Sequence, residues 1–459
     1  MLVPHNMQIT LEDWLRRLES AHPVEIDLGL ERVAEVAHRM GLLDSPIAPR
    51  VITVAGTNGK GSTVAMLEAV AQAHGLTTAS YTSPHLLRYN ERLRLCGEEA
   101  SDALLIEGFE AVGSAQQPDP EQQYDAVSLS YFEVSTLGAL HAIRRQCPDV
   151  AILEVGLGGR LDAVNVIDSD VAIVTTIARD HSAYLGDDLL AIGREKAGIM
   201  RKGRPAVLGS ESLPSSVTAV GRAQGALVSQ LGVDFTYHVM AEPTSPLAQL
   251  PQWSWRGFDA QGQCHQIEGL PDPGLPLDNA ATSLQALHLA GVGLDVVACH
   301  QALAKVELPG RMQWLGQWCL DVAHNPHAAK YVARRLEQSL VESGTSLLGG
   351  SEPRGRVFGV LGMLDDKDAD GVIDALAPVI DAWLPVSLGG SRGRQADELA
   401  GLLEAHNQQV IQRAESPLSG AEWLAQQLTP ADRVLVCGSF LTVADVLDAL
   451  QSGRLSRSR

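Results

Sequence analysis

A chain of 459 residues exceeds what one hydrophobic core usually organises, so two domains are expected. Hydrophobic residues at 45% and charged residues at 20% suit a globular enzyme with two cores, and a formal net charge of -20 argues against non-specific binding to nucleic acid or an anionic membrane. The six cysteines (Cys96, Cys147, Cys264, Cys299, Cys319, Cys437) show no C-x-x-C spacing, which disfavours a disulfide framework or a cysteine zinc cluster and favours reduced thiols in the cytoplasm.

The N-terminal stretch MLVPHNMQITLEDWLRRLES turns amphipathic and acidic too early for a signal peptide, and no run of eighteen apolar residues is present to span a membrane. Short apolar runs then alternate with longer helical patterns. Strands are expected at 51–55, 150–155, 171–177, 205–208, 357–361 and 433–437, whose β-branched runs read as buried members of a mostly parallel sheet. A helix is expected from Thr63 to His74, closed by Gly75, and a long helical segment from Asp278 to about Lys305. The stretch 241–276, with Trp253 and Trp255, reads as short antiparallel strands; 343–356, rich in Gly, Ser and Pro, reads as a surface loop. The class is α/β. A first domain of residues 1–307 would carry a phosphate-loop type, mostly parallel sheet with helices on both faces. A smaller Rossmann-like α/β domain, 308–459, would start at Leu308-Pro309-Gly310-Arg311.

The strongest chemical signal follows the first strand: Gly56-Thr57-Asn58-Gly59-Lys60-Gly61-Ser62-Thr63. Glycines let backbone N–H groups converge on phosphate oxygens, and a following helix N-terminus adds donors and a favourable dipole. Lys60 would neutralise the β/γ-phosphates, with Ser62 or Thr63 helping to hold the nucleotide's magnesium. The standard phosphate-loop pattern would need glycine where Val54 stands and a hydroxyl where Gly61 stands, so the loop departs from it. Gly156-Leu157-Gly158-Gly159-Arg160-Leu161 resembles a dinucleotide fingerprint but fails it, because Leu161 occupies the third glycine position. Glu154, at the end of an apolar strand, is costly to bury and calls for a cation partner. His181 follows the next strand, so Glu154 and His181 are expected at the carboxyl edge of the sheet with the phosphate loop, where ligands of open α/β sheets bind. By composition alone, Gly193 to Ile199 reads as a solvated, charged turn of helix.

These segments together resemble the bacterial bifunctional dihydrofolate synthase/folylpolyglutamate synthase family, within the wider group of muramyl-ligase-like amide ligases. The resemblance rests on Ile26 to Arg32, the phosphate loop, Ser83-Pro84-His85-Leu86, Glu154 to Asn165, Asp180-His181, Gly193 to Ile199, Leu308 to Arg311, Asp321 to Pro326 and Gly438-Ser439-Phe440. It implies ATP bound by Gly56 through Ser62 with Asn279, Arg311 and Asp321, and one or two magnesium ions held by Ser83, Glu154 and His181. It also implies a carbamylated Lys196, and a pteroate site at Leu28, Gly29, Leu30, Tyr131, Phe132, Glu133, Val134, Asp162, Ala163 and Val164. Lys60, Lys196, Arg311 and His324 would serve catalysis, with His324 orienting the phosphate or the incoming glutamate. Ser182 and Val164 depart from threonines frequent at those places.

The implied reaction activates a carboxylate by phosphoryl transfer from ATP and lets the amine of L-glutamate displace phosphate from the acyl phosphate. The acceptors would be dihydropteroate and reduced folates. The implied protein is a cytoplasmic monomer with small-molecule substrates and no nucleic-acid or membrane partner. Two rivals stay open: a muramyl-type ligase acting on a cell-wall precursor, and a phosphate-loop NTPase that is not a ligase.

Overall fold

The computed structural model describes residues 9–21, 28–240, 252–342 and 355–455. Ile26 and Asp27 of the first family motif, residues 241–251 and residues 343–354 of the loop expected at 343–356 lie outside the described residues. The chain forms two compact units: Met1–Ile177 with Asp188–Val306, and Ala178–Asp187 with Glu307–Arg459. Ten residues that follow the first unit's sheet strand therefore belong with the second unit, which no local sequence feature announced.

The first unit is built on eight strands: β1 (Val51–Ala55), β2 (Thr78–Tyr81), β3 (Leu93–Leu95), β4 (Glu98–Glu99), β5 (Val150–Glu154), β6 (Val171–Val174), β7 (Pro205–Leu208) and β8 (Leu227–Gln230). Their order is β4-β3-β2-β5-β1-β6-β7-β8. From β2 to β8 all neighbours run parallel; β3 and β4 add an antiparallel edge. Strand β1 is buried along its whole length because it lies between β5 and β6 with both faces covered, which is why its sequence is a continuous apolar run instead of an alternation. A separate three-stranded antiparallel sheet comprises β9 (Thr236–Val239), β10 (Gln252–Phe258) and β11 (Cys264–Pro271), in the order β11-β10-β9. Trp253 and Trp255 point inward from β10 and are among the largest fully buried side chains.

Two helical expectations are corrected. The helix after the phosphate loop begins at Lys60, not Thr63, and runs to Ala73, because Gly59 takes a left-handed φ of 85° and turns the chain straight into the helix. The segment expected to be helical from Asp278 to Lys305 is two helices, Leu277–Leu289 and Val296–Leu303. Gly291, at φ 80°, breaks the first, and the Asp295 side chain caps the second by accepting from the Ala298 N–H.

Among the described residues the second unit has five strands: β12 (Gln313–Leu315), β13 (Trp318–Leu320), β14 (Val357–Leu361), β15 (Ala382–Pro385) and β16 (Arg433–Cys437). Their order is β12-β13-β16-β14-β15, parallel except for the β12–β13 hairpin. Its own core gathers Leu336, Leu361, Trp383, Leu399 and Leu435. Among the described residues no helix is long and apolar enough to cross a membrane.

Candidate active site

Strand β1 delivers the chain into the phosphate loop at the carboxyl edge of the sheet. Thr175 and Thr176, just past β6, hold the loop's outer part: the Thr57 and Asn58 N–H groups donate to the Thr176 carbonyl (2.7 Å) and hydroxyl (3.0 Å), and the Thr175 hydroxyl donates to the Asn58 carbonyl (2.7 Å). Gly56 must be glycine, since a Cβ there would lie 1.9 Å from the Thr175 hydroxyl oxygen. Gly59 is needed twice over: its φ is left-handed, and a Cβ would lie 2.7 Å from the Asn279 amide nitrogen. Asn279, on the helix Leu277–Leu289, donates in turn to the Ser62 hydroxyl at 2.8 Å. Ser62 and Thr63 hydroxyls cap back onto the Gly59 carbonyl at 3.1 and 2.8 Å. Lys60 Nζ folds over the loop onto the carbonyls of Gly56 (3.1 Å) and Thr57 (3.3 Å), and among the described residues it forms no ion pair.

Glu154 ends β5 directly beside β1, paired in register with Val54, and is 5% exposed. The Ser83 N–H donates to its Oε2 at 3.3 Å, so Ser83 and Glu154 are neighbours next to the loop. His181, by contrast, lies in the segment Ala178–Asp187 that clusters with the second unit. Its backbone N–H donates to Asp180 Oδ1 at 2.9 Å and its φ is 53°.

The glycines after β5 have a packing reason, not a dinucleotide one. A Cβ on Gly156 would strike the Phe132 ring at 2.6 Å, and one on Gly159 would strike the Glu195 carbonyl at 2.9 Å and Lys196 Cα at 3.0 Å. One turn is thereby pressed between an aromatic ring and the helix Leu189–Ala197. Lys196 on that helix is 5% exposed, which corrects the solvated reading of this segment; its neighbour Glu195 bonds Arg160 Nε at 3.1 Å. Within the same turn Asp162 accepts N–H bonds from Leu157 (2.8 Å) and Val164 (3.0 Å), starting the short 3-10 helix Ala163–Val166. Burial pushes the Asp162 carboxyl up to about 6, against the lowering effect of those backbone N–H groups and the Lys196 charge.

Tyr131, Phe132, Glu133 and Val134 open the helix Tyr131–Gln146, set by a reciprocal cap between Ser130 and Glu133. Glu133 is buried and paired with Arg32 at 2.8 Å, so it positions the helix Glu31–Arg39. Leu28, Gly29 and Leu30 lead into that helix and are part-exposed, and Gly29 faces open space. Tyr131 stands perpendicular to Tyr89 at 6.3 Å, with the Arg92 guanidinium 5.5 Å from its ring centroid. Arg92 also donates to His85 Nδ1 at 2.9 Å, and burial with this cation lowers the imidazole to about 4. His85 stands in the Ser83–Leu86 motif, whereas Arg92 was not singled out by sequence; an arginine in a buried aromatic cluster has no local signature.

In the second unit, Asp321 is buried and its two oxygens accept from the Met312 and Ala323 N–H groups, both at 2.9 Å. Burial raises its proton affinity, and the Arg311 charge opposes this. Arg311 and His324 both lie against the Phe440 ring, at 5.8 and 6.3 Å. His324 Nε2 faces Asp180 Oδ2 at 3.3 Å, and Lys367 Nζ donates to Asp180 Oδ1 at 2.6 Å. Burial alone would raise the Asp180 carboxyl; the hydrogen bond and charge of His324, then the charge of Lys367, hold it well below the usual carboxylate range. Lys367 was missed in the sequence. The available signal was its place just after the buried strand β14, the same relation Lys60 has to β1.

Residues 310–440 match the family model described as "Mur ligase, glutamate ligase domain". With the phosphate loop on a parallel sheet in the preceding unit, this defines an ATP-dependent acid–amino-acid ligase. The chain is 41% identical over 97% of its length to the dihydrofolate synthase/folylpolyglutamate synthase of Escherichia coli (strain K12), spanning 96% of that protein. It is 39% identical over 96% of its length to the protein of the same description from Haemophilus influenzae, spanning 98% of it. The chain belongs to the dihydrofolate synthase/folylpolyglutamate synthase family. Among solved structures, E. coli FolC in complex with DHPP and ADP superposes with TM-score 0.86 at 40% identity, covering 98% of this chain and 100% of that one. A bifunctional folylpolyglutamate synthase/dihydrofolate synthase with Mn, AMPPNP and L-glutamate bound gives TM-score 0.82 at 41% identity, covering 98% of this chain and 100% of that one.

Proposed function

We propose that this chain couples ATP cleavage to amide-bond formation between L-glutamate and two acceptors: 7,8-dihydropteroate, giving dihydrofolate, and reduced folates, giving folylpolyglutamates. One observation carries the reading: among the described residues Lys60 is held over the phosphate loop by carbonyl dipoles and by no ion pair, so its positive charge is directed at what the loop binds. Phosphoryl transfer depends on alignment and charge neutralisation, and this loop is built for both. The tight Gly59–Asn279 approach supports a nucleotide cradle, with Gly56, Thr57, Asn58, Gly61 and Ser62 completing its wall.

The donors near the loop fit magnesium: the Glu154 carboxylate and the Ser83 hydroxyl are oxygen ligands on adjacent residues. Magnesium, when bound, neutralises phosphate charge. His181 is assigned to the same ion by its motif. Lys196 is proposed to be carbamylated: its amine nitrogen adds to carbon dioxide, releases a proton and becomes a carboxylate. The support is its burial beside Asp162. Asp162, Ala163, Val164 and the helix start Tyr131 to Val134 are proposed to receive the pteroate acceptor, with Phe132 offering a ring face and Asp162 accepting from the heterocycle's N–H groups. Leu28, Gly29 and Leu30 complete that proposal. Arg311 and Asp321 are proposed to serve the nucleotide, and His324 the phosphate or the glutamate. A cytoplasmic location and a monomeric state belong to the same reading.

The test is ADP release by full-length protein with magnesium, ATP and L-glutamate, adding 7,8-dihydropteroate or tetrahydrofolate separately. Turnover is expected with each acceptor. Turnover with one alone removes the other activity; a folded, ATP-binding sample inactive with both overturns the reading, and a muramyl precursor is tried next.

A further inference from the structure

The three-stranded sheet carries a second constellation, remote in sequence from the phosphate loop. In the β10–β11 ladder Trp255 pairs with Ile267 and Gly257 with His265. Paired residues of an antiparallel ladder share a face, and so do alternate residues along each strand. Trp255, Gly257, Ile267 and His265 therefore face the same way, and that face packs on the helix Leu277–Leu289. Contact is tight there: a Cβ on Gly257 would lie 2.0 Å from Gln285 Oε1, and Gln285 Nε2 donates to the Phe258 carbonyl at 2.9 Å. His288 lies one turn beyond Gln285 on the same helix face. The hairpin tip then brings Asp259, and each of Asp259, His265 and His288 offers one ligand atom, all within 4.8 Å of one another.

We propose that Asp259, His265 and His288 form a binding site for a divalent transition metal of the zinc class. Three features separate this from a hydrogen-bonded surface trio. His288 Nε2 is buried and meets no hydrogen-bond partner among the described residues, although an imidazole nitrogen shut away from water normally finds one. Asp259 Oδ1 is fully occupied by the Gln261 and Gln263 N–H groups at 2.9 and 2.8 Å, which aims Oδ2 at the rings. The gap from that Oδ2 to His265 Nε2 is 3.4 Å, long for a hydrogen bond. It equals the edge of a tetrahedron with bonds of about 2.0–2.1 Å, roughly 3.3–3.4 Å.

Two imidazoles and one carboxylate select zinc, cobalt, nickel or copper over magnesium, so this site does not compete for the ion that accompanies ATP. Three protein ligands leave the fourth position to water. The ion ties the β10–β11 hairpin to the last turn of the helix whose first turn sets Asn279 against the phosphate loop, about 14 Å away at 1.5 Å per residue. Its role is a structural clamp on that helix.

The test uses metal-stripped full-length protein, saturated with Mg–ADP and titrated with Zn2+ against a chromophoric chelator. One tightly bound Zn2+ per chain is expected, together with a rise in Tm. His265→Ala, at an exposed ring, should weaken binding at least about 100-fold, since loss of an outer-shell partner alone costs 10–100-fold. It should also abolish the zinc-dependent Tm rise while leaving the metal-free Tm unchanged. Asp259→Asn is the second variant and should weaken binding in the same direction. Co2+ should give the visible absorption of a low-symmetry site in the parent and none in His265→Ala. Stoichiometric binding that survives His265→Ala unchanged, or no binding beyond the Mg–ADP site, overturns the proposal.

Discussion

Lys60 and Lys367 each follow a buried parallel strand, yet the chain treats their charges in opposite ways. Lys60 rests on two backbone carbonyls, at 3.1 and 3.3 Å. Lys367 is 7% exposed and sits against Asp180 at 2.6 Å and Asp366 at 3.7 Å. Carbonyl dipoles orient an ammonium without cancelling it; carboxylates cancel it. A lysine at a strand end is thus a ligand-binding charge only when nothing anionic is packed on it, and that is set by residues far away in sequence.

The largest effect should come from Lys60→Ala, which removes uncancelled charge: kcat should fall about 100- to 1000-fold with an unchanged Tm. An equal loss of stability would erase the contrast. Lys367→Ala should do the reverse, leaving Asp180 buried with a weaker partner and lowering the unfolding free energy by about 3 kcal/mol in denaturant titrations. The two variants measured side by side are the sharpest form of the comparison.

Asp162 is the anionic counterpart of Lys60, held by backbone N–H groups. With its folded value raised to about 6, the carboxylate is lost as pH falls through 6. The apparent affinity for dihydropteroate should then drop about tenfold between pH 7.5 and 5, and Asp162→Asn should flatten the profile. The stability sign is opposite to that of a salt-bridged acid: burial favours the protonated form, so this group contributes most below its unfolded value near 4 and its contribution is lost as pH rises from there through about 6. Carbamylation of Lys196 would remove a charge that lowers the Asp162 value, so bicarbonate should move the affinity midpoint upward. The smallest effect is Ser130→Ala, which removes the cap of the helix bearing Tyr131 and Phe132; about 1 kcal/mol of stability should go, with kcat retained.

What could be read from the sequence divides along physical lines. Strands β1, β5, β6, β7, β14 and β16 were legible because burial on both faces demands unbroken apolar runs. Edge strands such as β3 and β4 were not, having no such demand; β4 is two exposed glutamates. Gly59 beside Lys60 announced a tight turn, and the turn is there. The break after Leu289 was missed because Gly291 and Gly293 look tolerable within a helical pattern until a cap at Asp295 is seen. The burial of Lys196 was invisible to composition, since it depends on Gly159 allowing the helix to approach. Asp180 with Lys367 and His324 was unreadable for a simpler reason: the partners are 187 and 144 residues away.

The passage of Ala178–Asp187 into the second unit has a consequence for how this protein can be cut or recombined. The chain crosses from one unit to the other three times, so no single scission separates them. A fragment starting at Glu307 would keep Lys367 and His324 and leave behind the carboxylate that neutralises them. Any chimera that exchanges the second unit must therefore carry a ten-residue graft with it, and a natural history of swapping glutamate-ligase units would have had to move that graft as well.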